Sequence, residues 1–290
     1  MTQLKTLIFD VDGTLADTER YGHRVAFNQA FAEAGLDWHW SEELYAELLA
    51  VTGGKERIRF FIERQAPPLP EMLGKPNLSD PNQPSTTDPN SDPNSAIPLD
   101  EWIATLHRAK NRHYGQLIRA GKIPPRSGVV RLIREAHEAG LRLAIATTSA
   151  PDNAIALIET ILAPKGASWF EFIAAGDIVA HKKPAPDIYQ YVLREMHLDP
   201  RECLVLEDSE HGLQAATQAG LATVITYNSY TRDQNFSEAA MVLDHLGDAD
   251  NPVDLATQSN IELLAKIPPT VPQNYVTVPL LQAYHQYKSS

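Results

Sequence analysis

From residue 127 onward the sequence alternates short apolar runs with stretches of helical spacing, and this alternation limits the fold more than any other feature. The runs at 141–146, 172–174, 204–206 and 223–226 read as strands. Helical spacing falls at 128–139, from Pro151, at 186–196 and at 209–219. Strands that alternate with helices require parallel crossovers, so the expected class is α/β with a parallel sheet. Such sheets bind ligands outside the carboxyl ends of their strands, where the strand order switches direction.

One further apolar run, Leu7-Ile8-Phe9, stands near the start and stops abruptly in Asp10-Val11-Asp12-Gly13-Thr14. That is how a buried strand runs into a turn. Side chains two apart on an extended segment share a face, which puts Asp10 and Asp12 together. Gly13 lets the chain turn sharply and brings backbone close to a bound group. Thr147 and Glu207-Asp208 also stand at expected strand ends, so the sheet should gather all of them at one edge.

The segment between these strands is helical. Thr18 is placed to cap a helix on which Ala26, Phe27, Ala30, Phe31 and Ala34 share a face, and Gly35 stops it. Further helices are expected at 41–50, 55–64 and 100–120. Gly53-Gly54-Lys55 opens the third, a plausible anion site because free N–H groups and the helix dipole point outward there. Residues 67–100 are rich in Pro, Asn, Asp and Ser, with Asp-Pro-Asn three times over, too polar to offset the entropy of ordering. A loop inserted between two helices is tolerated, since closure costs only about 0.6 kcal/mol per doubling of length. The expected organisation is a core domain from 1–17 and 124–250, a helical cap domain at 18–123 carrying the 67–100 loop, and a C-terminal extension at 251–290.

A net charge of −12 argues against nonspecific binding to nucleic acid or anionic membrane. Within that acidic chain, Trp102 to Arg126 carries Arg108, Lys110, Arg112, Arg119, Lys122 and Arg126 and no carboxylate, which suggests a small anionic ligand. No apolar run approaches the roughly 18 residues of a membrane span. The first strand begins too early to leave room for a targeting peptide, so a cytoplasmic location is expected; a monomer is expected separately, since nothing along the chain fixes an oligomeric state. Cys203 is the single cysteine, which excludes an internal disulfide.

Four segments together resemble the motifs of the haloacid dehalogenase superfamily: Asp10-Val11-Asp12-Gly13-Thr14, Ala146-Thr147-Thr148-Ser149, Lys183 before Pro184, and Glu207-Asp208. Lys182 is adjacent, and Lys183 is preferred because it directly precedes the proline. The helical insertion is similar to the cap of the β-phosphoglucomutase-like subgroup. The resemblance implies a Rossmann-like doubly wound parallel sheet with an inserted α-helical cap. It makes Asp10 the nucleophile and Asp12 the general acid and base. Mg²⁺ would be held by Asp10, Asp12, Asp208 and, nearby or through water, Glu207. Lys183 and Thr147, with Thr148 and Ser149 beside them, would hold phosphoryl oxygens.

Within the subgroup, the 52–57 segment, Glu19 with His23, and Lys110-Asn111 look like the CbbY-type phosphatases, which remove the 1-phosphate from xylulose-1,5-bisphosphate, an inhibitory by-product of Rubisco. By that resemblance Glu19, His23, Tyr45, Gly54, Lys55 and Lys110 would grip the phosphorylated sugar. The expected activity is a Mg²⁺-dependent sugar-bisphosphate phosphatase. A β-phosphoglucomutase, a phosphoglycolate phosphatase and a regulatory protein on the same fold are the alternatives.

Overall fold

A computed structural model describes residues 3–51, 53–65, 67, 97–162, 164–255, 271–272 and 274–288. Thr52, and most of the loop expected at 67–100, lie outside the described residues. In chain order, β1 (Thr6–Phe9) precedes a π-helical turn (Glu19–His23) and helices α1 (Arg24–Glu33), α2 (Glu42–Leu48), α3 (Gly54–Gln65) and α4 (Leu99–Arg119). There follow α5 (Val129–Glu138), β2 (Arg142–Thr147), α6 (Pro151–Leu162), β3 (Phe172–Ala175), α7 (Asp187–Glu195), β4 (Cys203–Glu207), α8 (Glu210–Gln218), β5 (Ala222–Thr226), β6 (Met241–Leu243) and α9 (Val278–Lys288). The chain packs as two units, Met1–Thr18 with Ile123–Ser290, and Glu19–Lys122.

In the first unit the sheet runs β3-β2-β1-β4-β5-β6, and every pair is parallel. β1 lies between strands that follow it in sequence on both sides, which makes it the switch point. Phe9 pairs with Ile145 and with Leu206, so Asp10, Thr147 and Glu207 end their strands at one edge. β1 and β4 are buried along their whole length. That accounts for their unbroken apolar runs, because a parallel sheet is covered on both faces. On one face Ile188, Tyr189 and Val192 of α7 and Ala215 and Ala216 of α8 pack against Ile8, Ala144 and Val205.

Glu19–Lys122 is built on aromatic packing. Trp40 stands 4.6 Å from the ring of Phe27, 4.9 Å from Phe31 and 5.4 Å from Phe61. Such pairs contribute about 0.5–1.5 kcal/mol each beyond the area they bury. The Asn28 amide fixes the Trp40 backbone, accepting from its N–H at 2.8 Å and donating to its carbonyl at 3.0 Å.

Three local expectations differ from what is found. Thr18 does not cap a helix: its buried hydroxyl has no hydrogen-bond partner, and the chain enters α1 through the π turn. β6 has three residues, too few to show a period, and is held by β5 and by the Tyr227 N–H on Leu243 O at 2.9 Å. α9 arises in the C-terminal extension. Thr277 accepts from the Leu280 N–H at 3.2 Å, and Val278 donates to Glu135 Oε1 of α5 at 2.9 Å. Among the described residues, no helix is long and apolar enough to cross a membrane.

Candidate active site

The centre is the turn after β1. Asp10 leaves the strand still paired, its N–H on Leu206 O at 3.0 Å. The Thr14 and Leu15 N–H groups both fold back to Val11 O, at 3.3 and 2.9 Å. That tight turn needs a positive φ at Gly13, which is +81°. A Cβ there would collide with the Asp208 carboxylate and reach within 3.0 Å of Asn228 Nδ2, so glycine is required on two counts. The turn presents Asp12, which accepts a short hydrogen bond from the Ser149 hydroxyl. The Ser149 N–H in turn donates to Thr147 Oγ1 at 3.1 Å. Thr148 is exposed.

Lys183 comes from the loop between β3 and α7 and is nearly buried. Its Nζ donates to Asp10 Oδ1 at 2.6 Å, to Glu207 Oε1 at 2.5 Å and to Ala146 O at 2.9 Å, using all three protons. Lys182 instead pairs with the exposed Asp177 at 2.8 Å. Glu207 is held from every side. Tyr189 OH donates to the same Oε1 at 2.6 Å, and the Asp208 N–H and Ser209 hydroxyl reach Oε2 at 3.2 and 3.4 Å. Asp208 Oδ2 accepts from Asn228 Nδ2 at 2.7 Å.

The charges follow from this packing. Burial pushes the Asp10 carboxyl up, against the pull of Lys183 and with Glu207 and Asp12 adding to the rise, to a pKa of about 8. Burial also works against the Lys183 ammonium, but Asp10 and Glu207 outweigh it and hold its pKa above the usual lysine range. The Tyr189 phenol is raised by burial and by Glu207. Oxygens of Asp10, Glu207 and Asp208 lie within 4.8 Å of one another. A buried set of hard oxygen donors, with Asp10 raised first by burial and then by the neighbouring carboxylates, fits a divalent cation such as Mg²⁺. Both Glu207 oxygens already accept two hydrogen bonds, which leaves Asp10 and Asp208 as the more available donors.

Within Glu19–Lys122 the expected cap residues form two groups. The Tyr45 hydroxyl donates to Glu19 Oε2 at 2.5 Å and accepts from the buried Arg57 at 3.1 Å; Tyr45 itself is fully buried. Lys110 Nζ lies 2.9 Å from His23 Nδ1, within 5.2 and 5.0 Å of the Phe27 and Tyr114 ring centres. Gly54 begins α3 with the His107 ring close against its Cα, and Lys55 is exposed. Burial, then Lys110 and Lys55, push the His107 imidazole down to about 4. The basic stretch 102–126 does not act as one surface. Arg112 is bound to Glu33 at 2.5 Å, and Arg126 belongs to the other unit, on backbone carbonyls.

A model of the haloacid dehalogenase-like hydrolases matches residues 4–220. The chain belongs to this family. It is 44% identical over 253 residues to a plasmid-borne CbbY protein of Cupriavidus necator, covering 86% of this chain and 89% of that protein. It is 45% identical over 237 residues to the CbbY protein of Rhodobacter capsulatus, covering 82% and 91%. Crystal structures of CbbY from Rhodobacter sphaeroides, one with phosphate and one of a mutant with xylulose-1,5-bisphosphate, superpose with a TM-score of 0.67. Both are 41% identical and cover 83% of this chain and 94% of that one.

Several residues that shape the site of this hydrolase escaped sequence reasoning. Tyr189 sits at helical spacing among apolar neighbours and reads as core. Asn228 stands just past β5, at a carboxyl-end position where a polar side chain carries a functional hint. Along the chain Arg57 reads only as part of the 52–57 segment and not as a support of Tyr45, and His107 carries no signal beyond its residue type.

Proposed function

We propose that this hydrolase is a Mg²⁺-dependent phosphatase that removes one phosphate from a sugar bisphosphate, with xylulose-1,5-bisphosphate giving xylulose 5-phosphate as the substrate that similarity to the CbbY proteins favours. The observation that carries the reading is the convergence of Asp10, Asp12 and Lys183 at one sheet edge, in a chain similar to those proteins over more than four-fifths of its length. A monomer acting in the cytoplasm on carbohydrate metabolism, in service of the Calvin cycle, is part of the same reading.

Phosphate monoesters resist hydrolysis because the anion repels nucleophiles and an alkoxide leaves poorly, a barrier enzymes lower by up to about 10²¹-fold. In this mechanism an Asp10 oxygen attacks phosphorus and the sugar oxygen departs, which splits one hard step into two. Asp12, steadied by Ser149, gives its proton to the departing oxygen and then takes one from the water that cleaves the aspartyl-phosphate. Lys183 and Thr147 hold phosphoryl oxygens as charge builds. A Mg²⁺ ion held by Asp10, Asp12 and Asp208, with Glu207 in support, would offset the repulsion between carboxylate and phosphate. In the helical unit, Lys110, Lys55, Gly54 and His23 are the groups suited to a second phosphate and Glu19 to sugar hydroxyls, while the expected contact from Tyr45 is replaced by a supporting one, since it is fully buried and its hydroxyl holds Glu19.

The test is phosphate release with Mg²⁺ from xylulose-1,5-bisphosphate, ribulose-1,5-bisphosphate, β-glucose-1-phosphate and phosphoglycolate, with the product identified and Asp12→Ala run beside wild type. Fast release from the first alone, lost in Asp12→Ala, is the expected result. Conversion of β-glucose-1-phosphate to glucose-6-phosphate with little free phosphate would replace the reading with a mutase. Equal residual turnover in wild type and Asp12→Ala would remove the catalytic claim.

A further inference from the structure

Arg126 stands beside the site, where its charge acts on Asp208 while its hydrogen bonds go to the backbone. Its guanidinium donates to four backbone carbonyls: Gly13 O at 2.6 Å, Thr226 O at 2.9 Å, Tyr227 O at 2.7 Å and, through a shorter contact, Asp244 O. These carbonyls belong to three separate passages, the turn after β1, the end of β5 and the loop after β6. Its own backbone is fixed as well, with the Arg126 N–H on Leu15 O at 3.0 Å and the Asp17 N–H on Pro124 O at 3.1 Å. A planar fork of five donors suits several diverging carbonyls in a way that a lysine ammonium, with three donors at one point, does not.

Two of these passages, the turn after β1 and the chain after β5, meet at Asp208. Gly13 packs so closely on the Asp208 carboxylate that no side chain fits between them. Tyr227 directly precedes Asn228, whose amide donates to Asp208 Oδ2 at 2.7 Å. That amide cannot turn round freely, because its Oδ1 accepts from the Tyr230 N–H at 2.8 Å and its backbone N–H is held by Thr231 Oγ1 at 3.0 Å. Arg126 therefore ties down both walls that aim Asp208.

We infer that Arg126 is a positioning residue for the cation-binding carboxylate, acting on Asp208 through Gly13 and through Tyr227-Asn228. The inference rests on the phosphatase reading only for its kinetic consequence, since the carboxylate it positions is present whatever the substrate. Outer partners of metal ligands are typically worth 10- to 100-fold in metal affinity or activity.

The experiment is Mg²⁺ titration calorimetry of the full chain as wild type, Arg126→Lys, Arg126→Met, Asn228→Ala and the double variant Arg126→Lys/Asn228→Ala, with thermal unfolding of each alongside. Arg134→Ala, an exposed arginine on α5, controls for loss of surface charge. Arg126→Lys, which keeps the charge and is the variant expected to fold, should bind Mg²⁺ about 10- to 100-fold more weakly, and Asn228→Ala should do likewise. The double variant should lose less than the product of the two, because both act on one carboxylate. Where phosphate release is measured, kcat at limiting Mg²⁺ should fall with little change in substrate KM. Wild-type Mg²⁺ affinity in Arg126→Lys and Arg126→Met, whatever their stability, would overturn the inference and leave Arg126 a structural clamp. Strictly multiplicative losses would overturn the route through Asn228. A wild type that binds Mg²⁺ and releases phosphate from none of the esters would end the phosphatase reading while the calorimetry still decides on Arg126.

Discussion

Replacing Gly13 and, separately, Gly140 with alanine separates the two reasons a glycine stands in the catalytic turn. Both adopt positive φ, +81° and +74°, in the same unit. Alanine in that region costs about 1–2 kcal/mol, and the stiffer unfolded chain returns about 0.4–1 kcal/mol in both variants. A Cβ at Gly140 meets nothing within 4 Å, so that variant should be destabilised by about 1 kcal/mol and keep wild-type turnover. At Gly13 the Cβ meets the Asp208 carboxylate and the Asn228 amide, and one of them must move. If the carboxylate swings away, the charged Asn228–Asp208 hydrogen bond is lost, a further cost of about 1.5–3 kcal/mol. Gly13→Ala should thus lose about 2.5–4 kcal/mol in all. A carboxylate displaced by about 1 Å is enough for a loss near 100-fold in rate. Urea denaturation should be followed by circular dichroism, because Trp38, Trp40 and Trp102 report chiefly on the helical unit. Phosphate release is assayed on the same samples. Equal destabilisation of the two variants, or full turnover in Gly13→Ala, would refute the claim that the turn and Asp208 are in contact by necessity.

Two further outcomes follow from the buried charges. The Asp10 pKa is raised from 3.8 to about 8, so between those values the folded state holds more protons than the unfolded one. Its contribution to stability is then complete below pH 3.8 and is lost as pH rises toward 8. Mg²⁺ needs the ionised carboxylate, so binding at pH 7 should release close to one proton, read as a calorimetric heat that changes with the ionisation enthalpy of the buffer. A heat independent of buffer would mean that Lys183 already holds Asp10 ionised. Tyr189→Phe removes one donor from the buried Glu207 without changing the ring, and urea denaturation should show a loss of about 1.5–3 kcal/mol. Wild-type stability in that variant would show that Lys183, the Asp208 N–H and Ser209 suffice to hold the carboxylate.

Much of this protein can be read along the chain because its information is local. The strands declare themselves as apolar runs ending in Asp10, Thr147 and Glu207, and the register of a parallel sheet then brings those ends together. The helical unit declares itself by the period of Ala26, Phe27, Ala30 and Phe31, all buried on one face of α1. A three-residue β6 and an α9 that depends on Glu135 and Thr277 for its start carry no such period.

The basic stretch 102–126 shows where one dimension fails. Its composition suggests a single anionic surface, but a charge takes its meaning from what it faces. Arg112 faces Glu33, Lys110 lies beside His23, and Arg126 donates from both terminal nitrogens to four backbone carbonyls more than 90 residues away in sequence. Likewise Tyr189 and Asn228 are ordinary residues in sequence and become supports of Glu207 and Asp208 only once α7 and the end of β5 are packed beside β4. The candidates for chemistry can be named along the chain, because that choice depends on residue type at a strand end. Tertiary structure alone decided which residues hold them in place, because a hydrogen bond of under 3 Å depends on folded coordinates and not on spacing along the chain.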